Sequence, residues 1–600
     1  MAFLSSFLSG QETVYPDSLR RHLSAFPLLA EVGDAGMKRL LAEANWFGLP
    51  GGTPLKRDGA NDSALFLVVT GGLGVFIAGR LVSQIPPGET IGEMSLLSGD
   101  AHSAQLVALR DSELLRISPE GFESLAARHP RVMLNIMRVL MRRLHDTAHN
   151  PKGVSRLKTF AIVPLQEGLS HEPIAHRLTG VLGEMGAKAA VLDSAAGEQT
   201  AEWFDSFETA HDVVFYRGDA PGTTWTNLCV RQADRVFFLA RSGRPLPALS
   251  FPAAKERVGG LPILLLLHSG GSVPVPFELK SGQFDSHQHV RDGNTADLRR
   301  LARYIAGRAV GLVLGGGGAR GFAHIGVVKA LGEAGVPFDF LGGVSMGAII
   351  GAGLASEWSI EELTERMRAA FVTSNPLSDF TVPLIALVRG HRVSALLREN
   401  YGETRIEELP KPFFCVSSDL TSGRVHIHRS GLLRRALRAS VALPGILPPM
   451  AHHGHLLVDG GVMNNLPVDV MRERNAGPLI ASDMTSEMDM SVRDSRYSER
   501  PVWSLLWRRM RGTPSILSIL MRAGTMGSEA QRRLVREQAD YLFEPPLAGV
   551  EPLDWKAFDR AIAEGYAHVQ ALIEKNGVPL TEAWSEGPAV AAPQHGDARG

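Results

Sequence analysis

A run of glycines and a glycine-flanked serine lie close together in the chain, and both are residue types that can take part in chemistry. Residues 311–326 read GLVLGGGGARGFAHIG, and residues 343–347 read GVSMG. Backbone N–H groups of a glycine-rich loop can hold a bound phosphate, or the negative charge that develops on an oxygen during acyl transfer. A serine hydroxyl becomes a nucleophile when a nearby base takes its proton. The pattern therefore predicts either a phosphate site or an acyl-transfer site.

The phosphate interpretation fits the glycine run only in part. A Walker loop ends in Gly-Lys-Ser or Gly-Lys-Thr, whereas this run continues as Ala-Arg-Gly. A dinucleotide fingerprint matches the spacing of Gly316, Gly318 and Gly321. Such sites also carry an acidic residue about 20 residues further on, and Asp339 lies in that range. The glycine run alone leaves both interpretations open.

The surroundings of Ser345 favour acyl transfer. Residues 338–344 are predicted as a strand, and the run AIIGAGLA after Gly347 is predicted as a helix. A nucleophile elbow needs this order of strand, sharp turn and helix, because glycines such as Gly343 and Gly347 let the backbone turn tightly and expose the serine. The pentapeptide by itself also fits an ordinary turn. Together with the glycine run, it predicts a nucleophile at Ser345.

The sequence offers two kinds of base for this serine. Asp459 ends a predicted strand, and Gly460 and Gly461 after it leave the carboxylate clear in a loop. An Asp-Gly-Gly segment also forms ordinary turns. The other candidates are five of the histidines that follow Ser345, namely His426, His428, His452, His453 and His455. We predict Asp459 as the base.

These segments together resemble the patatin-like phospholipase family over roughly residues 308–475. The resemblance rests on the glycine loop, the elbow and the Asp-Gly-Gly segment in that order, and on ASVALP at residues 439–444. It implies a dyad of Ser345 and Asp459, with an oxyanion hole in the glycine loop. The residues expected to form the hole are Gly316, Gly317, Gly318 and Arg320. The remaining motif positions are Gly321, Gly343, Gly347, Gly460 and Gly461.

The resemblance predicts a serine esterase or lipase that hydrolyses acyl esters of phospholipids or lysophospholipids, without a cofactor or a metal. His324, just after the glycine loop, is expected to have no role in proton transfer. The alternative is a signalling scaffold whose hydrolase-like domain no longer turns over. The presence of both Ser345 and Asp459 favours the enzyme.

Residues 20–145 resemble a cyclic-nucleotide-binding domain, through PGE at 87–89 and GEMSLLSG at 92–99. The resemblance implies a nucleotide site at Glu93, His102 and Ser103, residues that lie within or just after the second motif. His102 stands where that family has an arginine for the cyclic phosphate, and a histidine cannot make the two-pronged contact of a guanidinium. The domain is therefore either a cyclic-nucleotide site or a degenerate module kept for docking or regulation.

These candidate residues are positioned by a multidomain chain with three kinds of pattern. We expect an N-terminal β jelly roll with flanking helices, a middle α/β domain with a parallel sheet and no assigned role, and a C-terminal patatin-like α/β hydrolytic domain. The order resembles that of the neuropathy target esterase family. The expected bounds are 1–150, 155–300 and 308–475, followed by a C-terminal helical extension of the patatin region at 476–580 and a disordered tail at 585–600.

Composition narrows the class of protein. The chain has 62 Lys and Arg against 63 Asp and Glu, which gives no electrostatic basis for binding nucleic acid. Its two cysteines, Cys229 and Cys415, are far apart and fit a reducing compartment. We find no signal peptide and no spanning helix. We expect a cytoplasmic protein, with peripheral contact to a membrane left open.

Four other segments carry weaker predictions. The apolar, proline-broken stretch 371–390 either lines an acyl groove, acts as a lid or simply packs. Residues 501–512 combine tryptophans with arginines, which fits a lipid interface or a core helix. The AHHGH segment at 451–455 is predicted as a hairpin tip without a metal. The polar stretch 270–295 is predicted as a long loop.

Overall fold

The described part of the chain forms three regions, each with its own hydrophobic core. The computed structural model describes residues 23, 26–55, 64–77, 80–98, 104–149, 157–169, 172–246, 262–270, 284–475, 477–484 and 536–577. No helix within these ranges is both long enough and apolar enough to span a bilayer.

The N-terminal region contains two antiparallel sheets and flanking helices, as the turn-punctuated sequence predicts. One sheet has the order β1-β7-β2-β5 and the other β4-β3-β6. Ser118 caps the helix that begins at Pro119, because its hydroxyl accepts the amide hydrogen of Gly121 at 3.1 Å. The strands are β1 Asn45–Leu49, β2 Leu65–Thr70, β3 Leu73–Ile77, β4 Arg80–Ile85, β5 Thr90–Ile91, β6 Gln105–Ala108 and β7 Ser112–Ile117. The helices are α1 Asp34–Glu43, α2 Glu93–Ser98, α3 Pro119–Arg128 and α4 Arg131–His149.

The middle region is a six-stranded parallel sheet with crossover helices, and this confirms the predicted alternation of strands and helices. The strand order is β13-β12-β11-β8-β10-β9. The strands are β8 Thr159–Pro164, β9 Ala189–Leu192, β10 Val213–Arg217, β11 Arg235–Arg241, β12 Ile263–His268 and β13 Ser286–Arg291. The helices are α5 Glu172–Glu184, α6 Ala201–Thr209, α7 Thr224–Gln232 and α8 Thr295–Ile305.

The prediction of a long loop over 270–295 is wrong for its second half, which forms β13. The strand sequence SHQHVR is polar, yet it pairs in parallel with β12. Two of its buried polar residues have strong partners: His289 Nε2 lies 2.9 Å from the carbonyl oxygen of Glu407, and Arg291 forms an ion pair with Asp297 at 2.7 Å. Because burial of a polar group costs little once it is hydrogen-bonded, a polar segment can form a strand here.

The C-terminal region is built on an eight-stranded mixed sheet with the path β18-β19-β16-β15-β14-β20-β21 and β17 paired to β16. The strands are β14 Gly311–Leu314, β15 Phe340–Gly343, β16 Phe413–Asp419, β17 Arg424–His428, β18 Met450–His452, β19 His455–Asp459, β20 Leu479–Ser482 and β21 Tyr541–Phe543. The helices are α9 Ala323–Glu333, α10 Met346–Ala355, α11 Ile360–Met367, α12 His391–Tyr401, α13 Leu433–Ser440, α14 Val468–Arg472 and α15 Phe558–Asn576.

The described residues beyond 475 complete this region. The strand β21 extends the sheet in parallel beside β20, so the expected helical extension also contains a strand. The helices α9 and α15 pack closely because each has a glycine at the contact. A Cβ added to Gly326 would lie 2.0 Å from the carbonyl oxygen of Ile562, and one added to Gly565 would lie 2.2 Å from that of Ala323.

Two ion pairs connect the N-terminal and middle regions. Arg110, in the turn between β6 and β7, pairs with Glu208 of α6 at 2.5 Å. The next residue, Asp111, pairs with Arg231 of α7 at 2.9 Å. Glu208 also accepts a hydrogen bond from the hydroxyl of Tyr216. Adjacent residues of one turn therefore hold two helices of the neighbouring region.

Candidate active site

Ser345 lies two residues after β15, where the chain turns sharply into α10. Its backbone has φ 53° and ψ −123°, a conformation that non-glycine residues rarely adopt. The strain persists because the glycines on either side allow very close backbone contacts. A Cβ on Gly347 would lie 2.3 Å from the carbonyl oxygen of Leu314, and one on Gly343 would lie 2.7 Å from the carbonyl of Gly347. The elbow therefore depends on glycine at both positions.

A second serine holds the backbone of the elbow. The amide of Ser345 donates a hydrogen bond to Ser440 Oγ at 3.0 Å, and Ser440 Oγ donates to the carbonyl oxygen of Val416 at 2.7 Å. Ser440 is fully buried at the end of α13. Ser440 belongs to the ASVALP segment, but the sequence predicted no role for it. Its role depends on contacts between α13, β16 and the elbow, which residue spacing does not reveal.

Asp459 ends β19, beside Ser417 of β16 in the register of the sheet. Its side chain is 2% exposed, and Oδ1 accepts the amide hydrogen of Gly461 at 2.7 Å. Among the described residues, nothing donates a hydrogen bond to Oδ2. A Cβ on Gly460 would lie 2.4 Å from the carbonyl oxygen of Val416. Only glycine therefore allows the backbone after Asp459 to pass this close to β16.

The environment of Asp459 changes its acidity. Burial raises the pKa of its carboxyl group to about 7, while the amide of Gly461 and the hydroxyl of Ser345 both act to lower that pKa. Ser345 is thus near enough to affect the carboxyl, although no hydrogen bond of ordinary length and angle joins the two side chains. A carboxylate with a pKa near neutrality is a much better proton acceptor than an ordinary aspartate. The structure therefore brings Ser345 beside a buried carboxyl group whose pKa lies near neutrality.

The glycine loop lies beside Ser345 and directs some of its amides elsewhere. A Cβ on Gly316 would lie 3.4 Å from Ser345 Cβ. The amide of Gly316, however, donates to the carbonyl oxygen of Asn465 at 3.2 Å. The expectation that Gly316 contributes a free donor is therefore wrong for this conformation. Within the described ranges, the amides of Gly317 and Gly318 have no hydrogen-bond acceptor.

Hydrogen bonds to the segment after residue 536 hold Ala319 and Arg320 of the glycine loop in place. The amide of Ala319 donates to the carbonyl oxygen of Pro552 at 2.7 Å, and Arg320 Nε donates to that of Val550 at 2.7 Å. Gly318 has φ +58°, and a Cβ there would lie 2.1 Å from the carbonyl oxygen of Pro552. Arg320 was expected in the oxyanion hole, and its Nε is instead used to anchor the loop.

His324 is hydrogen-bonded to the backbone at the start of the glycine loop. Its Nε2 donates to the carbonyl oxygen of Gly315 at 2.8 Å, and its Nδ1 accepts from the hydroxyl of Ser482 at 3.0 Å, in the tautomer that satisfies both contacts. Burial lowers the pKa of His324 to about 4, so the ring is neutral at neutral pH. These contacts give His324 a positioning role, and its lack of a role in proton transfer stays a prediction.

An apolar cavity of about 60 Å³ opens beside Ser345 and Gly318. Its walls come from the stretch 371–377, from α12, from the segment after α13 and from the C-terminal segment around Trp555. The apolar residues lining the cavity are Met346, Ile349, Phe371, Pro376, Leu377, Val393, Leu396, Leu397, Val441, Leu443, Leu447, Leu553 and Trp555. The stretch 371–377 therefore lines a groove at the serine, as one of the three interpretations of 371–390 predicts.

The five histidines considered as alternative bases lie on or near β17, β18 and β19. His428 Nε2 accepts the hydroxyl hydrogen of Ser417 at 2.8 Å, and His455 Nδ1 contacts Asp419 Oδ2 at 2.7 Å. In the described part of the chain no histidine is hydrogen-bonded to Ser345 or Asp459. The AHHGH segment forms the turn between β18 and β19, which confirms the predicted hairpin. The described residues contain no cluster of ligands suited to a metal ion.

The N-terminal region contains a second cavity, of about 350 Å³. Glu93 begins α2 and is buried. His102 and Ser103 lie outside the described residues, as does the 501–512 segment, so their predicted roles stay predictions. The cavity is lined by Pro27, Leu28, Val75, Ser83, Gln84, Ile85, Pro86, Gly88, Glu89, Thr90, Val139 and Arg142.

Three stretches of the chain match known families. Residues 48–129 match the cyclic nucleotide-binding domain, residues 156–250 the neuropathy target esterase family P-loop like domain, and residues 312–472 the patatin-like phospholipase family. Among solved structures, the N-terminal domain of a transcriptional regulator from Streptomyces coelicolor is 26% identical. That likeness covers 22% of this chain and 96% of the regulator domain, with a TM-score of 0.19.

Two curated relatives span most of the chain. Human patatin-like phospholipase domain-containing protein 6 is 30% identical over 615 residues, which is 88% of this chain. The chain spans only 44% of that longer protein. An uncharacterized NTE family protein of Mycobacterium tuberculosis is 30% identical over 575 residues, covering 92% of this chain and 96% of the mycobacterial protein. With this end-to-end match and the three domain matches in the predicted order, the chain belongs to the neuropathy target esterase family.

Proposed function

We propose that this protein is a serine esterase that hydrolyses acyl esters of phospholipids or lysophospholipids, with Ser345 as nucleophile and Asp459 as general base. The observation that carries the proposal is the combination at one point of a strained serine and a buried carboxyl whose pKa is raised to about 7. The cavity beside them is lined by apolar side chains, which match the chemistry of an acyl chain. Membership of a family with a patatin-like phospholipase domain supports the same reaction class.

The first half of the reaction forms an acyl-enzyme. Ser345 Oγ attacks the ester carbonyl carbon while Asp459 Oδ2 accepts the hydroxyl proton. The carbonyl oxygen becomes an oxyanion, which accepts hydrogen bonds from the amides of Gly317 and Gly318. One such donor is typically worth about 3 kcal/mol in the transition state. The intermediate then collapses, the bond from carbon to the alcohol oxygen breaks, and the leaving alcohol takes the proton from Asp459.

The second half releases the fatty acid. Asp459 accepts a proton from water, the resulting hydroxide oxygen bonds to the acyl carbon, and the same two amides hold the oxyanion. Collapse breaks the bond to Ser345 Oγ, which takes back the proton from Asp459. The products are a fatty acid and the alcohol of the lipid, and the enzyme returns to its starting protonation state.

Fatty acid release tests this proposal. The full chain is incubated with phosphatidylcholine and lysophosphatidylcholine, and released fatty acid is measured by mass spectrometry for the natural protein and for Ser345→Ala. We expect release by the natural protein and none above background by the variant. Equal release by both proteins would refute Ser345 as the nucleophile.

A cyclic nucleotide is proposed as a possible regulatory ligand of the N-terminal region, in view of the family match over 48–129. We expect cyclic AMP and cyclic GMP to bind weakly, because His102 cannot replace the bidentate arginine contact. Calorimetry with both nucleotides measures this directly. Micromolar affinity would contradict the expectation.

A further inference from the structure

Four large apolar side chains stand in solvent within six residues of the C-terminal region. They belong to residues 380–388, which we call the apolar loop. Their exposed fractions are 73% for Phe380, 72% for Val382, 88% for Leu384 and 74% for Ile385. Single exposed apolar residues are common on protein surfaces, whereas a contiguous group of this kind marks a surface that contacts another apolar phase.

The backbone of the apolar loop is held in place by hydrogen bonds. The amide of Thr381 donates to the carbonyl oxygen of Leu387 at 3.1 Å and closes the loop. The amides of Leu387 and Val388 donate to the carbonyl oxygens of Gly445 and Ile446 at 2.9 and 3.1 Å. The four side chains are therefore presented by a defined backbone that is bonded to its neighbours.

Both ends of the loop are anchored in the protein. Ala386 and Val388, which follow the exposed side chains, are 4% and 2% exposed. At the other end, Asp379 Oδ2 accepts the amide hydrogen of His391 at 2.8 Å and so connects the loop to the start of α12. The fold buries the base of the loop and leaves its tip outside.

The apolar loop is continuous with the cavity at Ser345. Phe371, Pro376 and Leu377 line the cavity and lie a few residues before the loop. Leu443 and Leu447 also line it, and the two carbonyl groups that hold the loop lie between them in the chain. The same two segments therefore form a wall of the cavity and fix the exposed tip.

The sequence next to the loop carries more positive than negative charge. Residues 372–399 contain three arginines and two acidic residues, Asp379 and Glu399. Arg389 and Arg392 are exposed, whereas Asp379 is occupied with the start of α12. Positive charge beside exposed apolar side chains complements a lipid surface that carries anionic headgroups.

Resting on the function proposed above, we propose that the apolar loop inserts into the surface of an anionic phospholipid bilayer and brings the cavity at Ser345 to its lipid substrate. Leu384 and Ile385 enter the boundary between headgroups and acyl chains. Arg389 and Arg392 lie at the level of the headgroups. A substrate acyl chain then passes from the bilayer to the cavity along apolar walls, without crossing water.

Vesicle flotation tests the proposal without relying on catalysis. The full chain is mixed with vesicles of phosphatidylcholine and phosphatidylglycerol, and the fraction that floats is measured. The variant Leu384→Ser/Ile385→Ser should bind at least about tenfold more weakly, because two exposed apolar side chains no longer enter the lipid. The matched control is Ile77→Ser/Leu134→Ser, which removes two apolar side chains of about 50% exposure from the N-terminal region. The control should bind as the natural protein does.

Several outcomes would overturn the inference. These are absence of binding by the natural protein, equal binding by the loop variant, or a loop variant whose only change is from dimer to monomer in solution. Turnover of a short, soluble p-nitrophenyl ester is measured in parallel. The loop variant should retain that turnover. If no protein turns over the ester, the proposed function fails, while flotation still reports on the loop.

A second measurement places the loop in the lipid directly. The two native cysteines are buried, so a Leu384→Cys variant can be labelled selectively at its exposed thiol with a polarity-sensitive dye. Emission should shift to the blue when anionic vesicles are added, and less when phosphatidylglycerol is omitted. Dye at Ile77→Cys should show no shift. The same shift at both positions, or at neither, would contradict insertion of the loop.

Discussion

The middle and C-terminal regions are both sheets of mainly parallel strands with crossover helices, yet their carboxyl edges use glycine differently. After β8, Gly168 has φ +72° and nothing near the position of a Cβ, and Gly270 after β12 has φ +89° and the same open space. After β14 and β15, Gly318 and Gly347 have backbone oxygens 2.1 and 2.3 Å from that position. Glycine in the middle sheet allows a turn, whereas glycine in the C-terminal sheet allows backbone to approach backbone. A parallel sheet alone does not provide a functional site. In the C-terminal region, the candidate site forms where glycines let backbone segments come close together at the edge of the sheet.

The same two regions each bury a carboxyl group whose pKa burial raises. Glu208 of α6 has its charge compensated by Arg110 and its other oxygen bonded to Tyr216. Asp459 has one amide partner and an oxygen with no donor among the described residues. A raised pKa therefore does not distinguish a structural carboxyl from a proposed base. What distinguishes Asp459 from Glu208 is that its Oδ2 has no donor among the described residues and lies next to the strained Ser345.

The largest expected effect comes from removing each member of the proposed dyad. Ser345→Ala and Asp459→Asn should each lower ester turnover by about 10³-fold or more, because neither can act without the other. Glu208→Gln, the equivalent change in the other buried carboxyl, should leave kcat within a few-fold of the natural value. Steady-state turnover of a p-nitrophenyl ester measures all three. Comparable losses in Asp459→Asn and Glu208→Gln would remove the distinction between the two carboxyls.

The glycine comparison predicts the next largest effect. Gly318→Ala should lower kcat by about 10²-fold, because the added methyl group displaces the loop whose amides are proposed to hold the oxyanion. Gly168→Ala introduces the same methyl group at a positive φ in open space. It should cost about 1 kcal/mol of stability and leave kcat unchanged. Thermal melts followed by circular dichroism measure the effect of each substitution on stability, and steady-state kinetics measure its effect on kcat. If Gly168→Ala lost as much kcat as Gly318→Ala, close approach would not be the relevant difference.

The pH dependence of turnover tests whether the carboxyl group of Asp459 acts as the base. Because the pKa of Asp459 is raised to about 7, the base form should increase through neutral pH. We expect kcat/KM to fall about tenfold for each pH unit below that value and to level off above it. A soluble ester measured across the pH range gives the profile. A profile that is flat between pH 5 and 8, to within about twofold, would contradict a base with this pKa.

We expect the contribution of Asp459 to the free energy of unfolding to fall as pH rises. An ordinary ion-paired aspartate has the opposite effect. The pKa of Asp459 in the folded chain lies above its value of about 3.9 in an unfolded chain. The neutral form therefore favours folding, and this contribution is present below about pH 4 and lost as pH rises through about 7. Asp459→Asn should be more stable than the natural protein at pH 8, by up to about 1.4 kcal/mol for each unit of the shift. Denaturant unfolding at pH 5 and 8 measures this, and lower stability of the variant at pH 8 would contradict it.

The two residues of the proposed dyad could be predicted from the sequence, whereas the residues that position them could not. Ser345 and Asp459 stand beside glycines in short contiguous motifs, so local pattern was enough to select them. Ser440, Asn465 and Pro552 act through contacts with the backbone of distant segments, and Pro552 lies 233 residues after its partner Ala319, so nothing local distinguishes these residues. The expected donor at Gly316 was wrong for the same reason, because its acceptor comes from Asn465.

The fold was predictable where apolar periodicity determines structure, and less so elsewhere. The parallel sheet of the middle region was predictable, since strands such as β8 and β10–β12 are nearly continuous apolar runs. The polar strand β13 was not, because its histidines and arginine are satisfied by partners outside the strand, such as Glu407 and Asp297. A sequence window contains the polar residues but not the partners that make their burial tolerable.

Covalent labelling shows whether Ser345 is a nucleophile activated by Asp459. The natural protein and Asp459→Asn are treated with a fluorophosphonate probe, and the modified peptide is identified by mass spectrometry over time. We predict a single adduct on Ser345 in the natural protein, with labelling of Asp459→Asn slowed by about 10²-fold or more. An adduct on another serine, or labelling of Ser345 at the same rate in both proteins, would contradict the claim.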